Sequence, residues 1–294
     1  MNSEKSGAEE QISYQNIRKN LTFASTLIQQ KLAEKFSVID EMVEAEIGLL
    51  GIYATAFMIK SAMGLSYKPN LVTNNVTANQ AHISLSTILL LKEGLYGSAR
   101  IILRQFFEGL LIAKYSEYDN TIITKWSTNH GKQDYKNEIK LKRDVFNKMK
   151  GIAETSSLEE FWVLLCNVSH STKYAQQPLL VPKSEGVGLD RNETLKWIED
   201  MHLIPNTEHT LDMLFVLLCM NFHLLIGYQG RRARRWWFGY QNDPYGSYMR
   251  EKEYKKRMNN LIERYFAIND GQKKELNIPL KKQIRQYKLL NTKK

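Results

Sequence analysis

Cysteine is scarce in this chain: there are two, Cys166 and Cys219, in 294 residues. Each sits inside an apolar helical stretch, where a small buried hydrophobe is the ordinary role, and neither belongs to a disulfide framework or a CxxC zinc knuckle. A Walker phosphate loop, a dinucleotide fingerprint, an HExxH pair and a nucleophile elbow are also missing, so the common nucleotide-binding and hydrolase chemistries have no support. Long alternating runs and Asn-Gly turns are absent, which leaves little room for sheet. No segment repeats at a fixed period. The opening stretch, MNSEKSGAEE, is polar and acidic, unlike a basic stub leading into an apolar run, so the expected location is the cytoplasm.

What is present is an ordinary globular composition, 43% hydrophobic and 24% charged, on a chain long enough to bury a core. Its net charge of +10 is unevenly spread. Residues 231–294 hold 18 Lys and Arg against 6 Asp and Glu, a net of +12, which leaves residues 1–230 at −2. An anionic partner is therefore attracted first to the C-terminal part.

Apolar residues recur at helical spacing through most of the sequence. Ile17, Leu21, Ile28, Leu32 and Phe36 share one face of a first helix from Ala8 to Phe36. Ser37 with Asp40 suits a fresh helix start before the apolar segment Met42–Leu65, and Pro69 with four Asn marks residues 67–80 as a loop. A long helix is expected from Ala81 to about Tyr118. Shorter helices follow over Asp134–Met149, Phe161–Val168 and Thr194–His202, the last two behind Ser157/Glu160 and Asp190/Glu193 capping boxes. Residues 171–189 read as a loop, either a lid or a plain connection.

Pro205 ends the last short helix and is followed by an apolar one, Thr207–Tyr228. That stretch, with Arg231, Arg232, Arg234, Arg235, Trp236 and Trp237 behind it, has the order of a membrane span with a positive flank. Asp212, Asn221 and His223 interrupt it, and the clean apolar run is well short of the roughly 20 residues a bilayer core demands. A buried core helix is the expectation, and no membrane partner is expected.

Charges on the long third helix need an explanation. Glu93, Arg100, Arg104 and Glu108 are spaced by seven, four and four residues and fall on one stripe of an otherwise apolar helix. Buried charges must pair, so the stripe is either structural glue or a site.

The block around it, LKEGLYGSARIILRQFFEGLLIAKY from Leu91 to Tyr115, resembles a helix of a bacterial family of unknown function, DUF5677, among the HEPN-like all-helical proteins. Arg104 preceding Glu108 by four residues matches that pattern, and the polar turn Asn167, Ser169, His170, Ser171, Thr172 resembles a later one. The resemblance covers roughly residues 40–230. It implies an all-α, HEPN-like bundle and points to RNases of toxin and antiphage systems as relatives. The active-site motif of those related RNases, an Arg followed four to six residues later by a His on one helix, is missing here, so cleavage needs Arg104 and His170 brought together from different helices.

Chemically this is feasible. A 2′-hydroxyl attack on RNA needs a group titrating near neutrality and a cation for the phosphate, which His170 and Arg104 could supply beside Glu108. The alternative is structural, with His170 capping the helix that contains Cys166 and bonding Glu108 inside the bundle. A single Glu199/His202 pair at i, i+3 falls short of the paired sets of carboxylate-bridged metal bundles, so neither metal nor cofactor is expected.

The run Arg231, Arg232, Arg234, Arg235, Trp236, Trp237 is the second feature. Arginines grip phosphates and aromatic faces stack on unpaired bases, which favours RNA over DNA, and Lys255, Lys256 and Arg257 continue the charge. The bland reading is that this segment docks on the bundle.

The combined expectation is an all-α helical bundle of about six to eight helices over residues 1–230, with a basic, aromatic-containing helical extension over 231–294. Homo-oligomerisation is expected. The leading functional reading is a defence or toxin-like RNA-binding protein, with metal-independent RNA cleavage as its enzymatic form. The competing one is a non-catalytic module that recruits a protein partner or senses a ligand.

Overall fold

The computed structural model describes residues 14–62, 71–115, 121, 143–148, 162, 163, 165, 166, 203–230 and 247–271. Among the described residues the chain is all-α, with no strand: α1 (Tyr14–Lys31), α2 (Ala33–Ala62), α3 (Leu71–Lys92), α4 (Tyr96–Tyr115), α5 (Ile204–Leu224) and α6 (Ser247–Gly271). α5 runs on into a π-helical turn, Leu225–Gly230. The helices expected over 134–149 and 157–168 are described only at 143–148, 162, 163, 165 and 166, all helical, and Thr194–His202 lies outside the described residues.

α1 and α2 are almost one rod. The ladder continues across Leu32, whose N–H donates to Ile28 O and whose own carbonyl accepts from Phe36 N, both at 2.9 Å. Ser37 is therefore inside α2 rather than capping it, and its hydroxyl donates along the helix to Glu41 Oε1 at 3.4 Å.

The expected loop at 67–80 and long helix from Ala81 are both revised. α3 already starts at Leu71, and the helix breaks after Lys92. Gly94 adopts φ +76°, a left-handed conformation that favours glycine. Its N–H donates to Leu91 O at 3.0 Å, and Leu95 N–H reaches back to Leu90 O at 2.8 Å. This pair of bonds is the Schellman stop, and it turns α4 back against α3 as a hairpin.

α5 is the central helix, packing on α2, α3 and α4. Pro205 sits in its first turn, where a missing N–H costs nothing. The stretch Leu211–Cys219 is buried on every side except at Asp212. A helix apolar all round is a core helix or a membrane span. Ile204–Gly227 is long and apolar enough to cross a bilayer, and 72% of its apolar window is buried inside the fold.

α6 lies antiparallel along α2. Met258, Leu261 and Tyr265 join the same core as α2 and α5, so this part of the C-terminal extension is integral to the bundle. Gly48 permits the close approach, because the ring of Tyr254 occupies the place of a Cβ. Outside the core, Arg257 reaches Glu44 at 2.6 Å and Arg264 reaches Glu41 at 2.9 Å.

Candidate functional site

The charged stripe on α4 divides in three. Glu93 falls in the turn before the helix and is exposed. Arg100 is buried and turns toward α5, donating from Nε to Thr210 Oγ1 at 2.9 Å and from Nη2 to Asn206 Oδ1 at 2.8 Å, with the Tyr96 ring beneath its guanidinium at 5.2 Å. Burial pulls this guanidinium down to about 10, although the hydrogen bonds it donates are all to neutral groups.

Arg104 pairs instead along its own helix. Its Nε donates to Glu108 Oε1 at 3.0 Å, and its guanidinium stacks over Trp162 at 5.3 Å. Trp162 in turn packs on Phe107 and Phe146, with ring centroids at 5.8 and 5.0 Å. Cys166 lies within electrostatic reach of both Arg104 and Glu108, and burial is the main reason its thiol is pushed up. Within the stripe Arg104 thus pairs with Glu108, beside the Trp162 ring.

His170, which the catalytic reading adds to Arg104 and Glu108, lies outside the described residues. So do Arg231, Arg232, Arg234, Arg235, Trp236 and Trp237, together with Glu199 and His202. The run of arginines begins one residue after Gly230, the buried end of the π-helical turn. The further positives on α6 have divided roles. Arg257 pairs with Glu44 of α2, Lys255 pairs with Glu251 at 2.7 Å, and Lys256 is exposed.

Two buried polar clusters carry no signature in the sequence reading. In the first, Lys35 of α2 is 1% exposed, and its Nζ lies 2.9 Å from Glu208 Oε1 and 3.0 Å from Asp212 Oδ1 of α5. Tyr265 of α6 donates its hydroxyl to the same Asp212 oxygen at 2.6 Å and stacks on Phe215 at 4.0 Å. Burial raises Asp212, against the lowering effect of Lys35 and Tyr265. Burial likewise holds Tyr265 well above its ordinary value. His209 is lowered by burial and then by Arg100.

In the second cluster, Glu46 of α2 is fully buried and accepts from Asn221 Nδ2 of α5 at 3.1 Å. Desolvation raises Glu46 to about 8. Cys219 is close enough to feel that carboxyl, and burial keeps its thiol well above its ordinary value. A buried, protonated thiol is a poor nucleophile.

The signals that could have found these clusters were faint. Glu208 and Asp212 are two acids one turn apart in an apolar helix, a spacing that asks for a shared cation. Nothing about Lys35, on a stretch with other charges, marks it as that cation. Both clusters join helices, and Lys35 and Glu46 in them are buried, so the polar groups there must be satisfied by one another.

Compared with protein-family models, with curated proteins and with solved structures, the chain matches none.

Proposed function

We propose that the protein is an RNA-binding helical bundle that holds its ligand without cutting it. The grip is the segment Arg231, Arg232, Arg234, Arg235, Trp236 and Trp237, with the arginines on phosphates and the tryptophans on unpaired bases.

One observation carries this reading: the positive charge of the sequence is concentrated in its C-terminal part, where the arginine run lies. Residues 231–294 bring a net of +12, against −2 for the rest. On α6, Arg257 and Arg264 are held by Glu44 and Glu41 of α2, and these pairs fix the helix to the bundle. The run itself is bracketed in sequence by the π-helical turn ending at Gly230 and by α6 starting at Ser247, both packed on α2. A segment anchored at both ends loses less freedom on binding than a free tail does.

The non-catalytic form is favoured by Arg104. A cation that must meet a scissile phosphate cannot also be held by Glu108 and seated on Trp162 without giving up both contacts.

The test is binding of a labelled single-stranded RNA to the full chain, wild type beside a variant with Arg231, Arg232, Arg234 and Arg235 all changed to Ala. The expected result is a loss of at least tenfold in affinity with RNA left intact by both proteins. Equal affinity overturns the grip, and RNA cleaved by the wild type but not by Arg104→Ala or His170→Ala overturns the non-catalytic form.

A further inference from the structure

Arg100 carries a charge that no described residue neutralises. It is 5% exposed, and its guanidinium donates from Nε to Thr210 Oγ1 and from Nη2 to the side-chain and main-chain oxygens of Asn206, all neutral acceptors. Nη1 donates to no described group. The acids of α4 and α5 are committed elsewhere, Glu108 to Arg104 and both Glu208 and Asp212 to Lys35, while Glu93 lies exposed in the turn before α4. A buried cation with no counter-charge is costly, and a fold that retains one has a use for an anion beside it.

The surroundings deepen the imbalance. Arg100 lies near the N-terminal ends of both α4 and α5, as its bonds to Asn206 show. Neither helix has an acid in its first turn, and the α5 end has no side-chain cap, so both ends add positive potential. One residue on from Asn206, Thr207 Oγ1 is buried with no hydrogen-bond partner, so unused hydrogen-bonding capacity accompanies the unpaired charge. His209, half-buried on α5, stands within electrostatic reach of Arg100.

We propose that this corner binds a small oxyanion of the phosphate type, held by Arg100 Nη1 from α4 and by the His209 ring from α5. Thr210, Asn206 and the Tyr96 ring fix the guanidinium, so Nη1 is a positioned donor of the kind phosphate oxygens accept. Donors arriving from two helices suit a tetrahedral acceptor better than a planar carboxylate. The proposal does not rest on the arginine run at 231–235.

The test compares the full-length protein in phosphate and in chloride at equal ionic strength. Burial and then Arg100 hold His209 low, with Asp212 opposing them. An anion between Arg100 and His209 favours the charged ring, so His209, identified in NMR spectra by its loss in His209→Gln, is expected to titrate at higher pH in phosphate. The wild-type melting temperature is expected to rise with phosphate and to level off as one site fills, and Arg100→Gln is expected to lose that rise. Adenosine monophosphate in place of phosphate identifies the source: the same two effects with it assign a phosphate ester, and their restriction to inorganic phosphate assigns the free ion. A His209 titration that is unchanged in phosphate overturns the proposal, and this arm needs no change at Arg100. An equal rise in melting temperature in wild type and Arg100→Gln overturns it as well, since general stabilisation by the salt acts on both.

Discussion

Asn221 donates to Glu46 Oε2 at 3.1 Å, and Glu46 Oε1 and Asn221 Oδ1 are each buried with no hydrogen-bond partner. Both acceptors lack a donor. A protonated carboxyl supplies one, which accords with the rise of Glu46 to about 8 by burial.

The pH dependence follows from that sign. A carboxyl raised from 4.5 unfolded to about 8 folded binds its proton more tightly in the folded state. Its contribution to stability is complete below about pH 4.5 and is lost progressively as pH rises from there through about 8, by an amount on the order of 5 kcal/mol. Denaturant unfolding between pH 5 and 9 checks this. Glu46→Gln, which keeps the shape and offers Asn221 a donor, is expected to flatten the profile and to be the more stable protein at pH 9. A wild-type profile that stays flat over the same range contradicts the assignment.

Removing Lys35 leaves Glu208 and Asp212 facing each other inside the core. Lys35→Ala is expected to destabilise by about 3–5 kcal/mol, the usual effect of stranding buried charges. Changing Lys35 to Met together with Glu208→Gln and Asp212→Asn is expected to restore part of that loss. Thermal melts of the single and triple variants decide, and a triple variant no better than the single one speaks against charge as the cause.

Two glycines behave oppositely. Gly94→Ala forces a side chain into a positive φ beside Ile28 and is expected to destabilise by about 1–2 kcal/mol. Gly51→Ala, inside α2 with open space around it, is expected to stabilise by up to about 1 kcal/mol. Equal and opposite shifts in melting temperature are not required. The signs are.

The all-α class was legible because apolar residues return at threes and fours almost everywhere. The break at Gly94 was also present, as a glycine two residues after Lys92, but the apolar residues on both sides carried the periodicity through it. Asn74, Asn75 and Asn79 argue for a loop by local chemistry, and packing of α3 against α4 and α5 outweighs them. Asp212 and Asn221 stood out as interruptions in an apolar helix, yet their partners Lys35 and Glu46 are 177 and 175 residues away, and no local pattern carries that distance. Of the candidate catalytic set, Arg104 and Glu108 are joined on one helix, and His170 lies outside the described residues.

Thiol reactivity offers an independent check on the core. Cys219 is buried and its thiol is held protonated, so at pH 8 it is expected to react with a thiol reagent at least tenfold more slowly than the half-buried Cys166, and to match it once the protein is unfolded in denaturant. Equal rates in the native protein contradict the central placement of α5.

The most direct test of the functional proposal is the salt dependence of RNA binding. Four arginines on phosphates of a single strand imply that log K falls with log salt at a slope of about −3, and that the quadruple Ala variant loses nearly all of it. A steep slope in the wild type, abolished in the variant, supports the grip at Arg231–Arg235. A slope that the variant retains in full contradicts it and returns those arginines to a structural role.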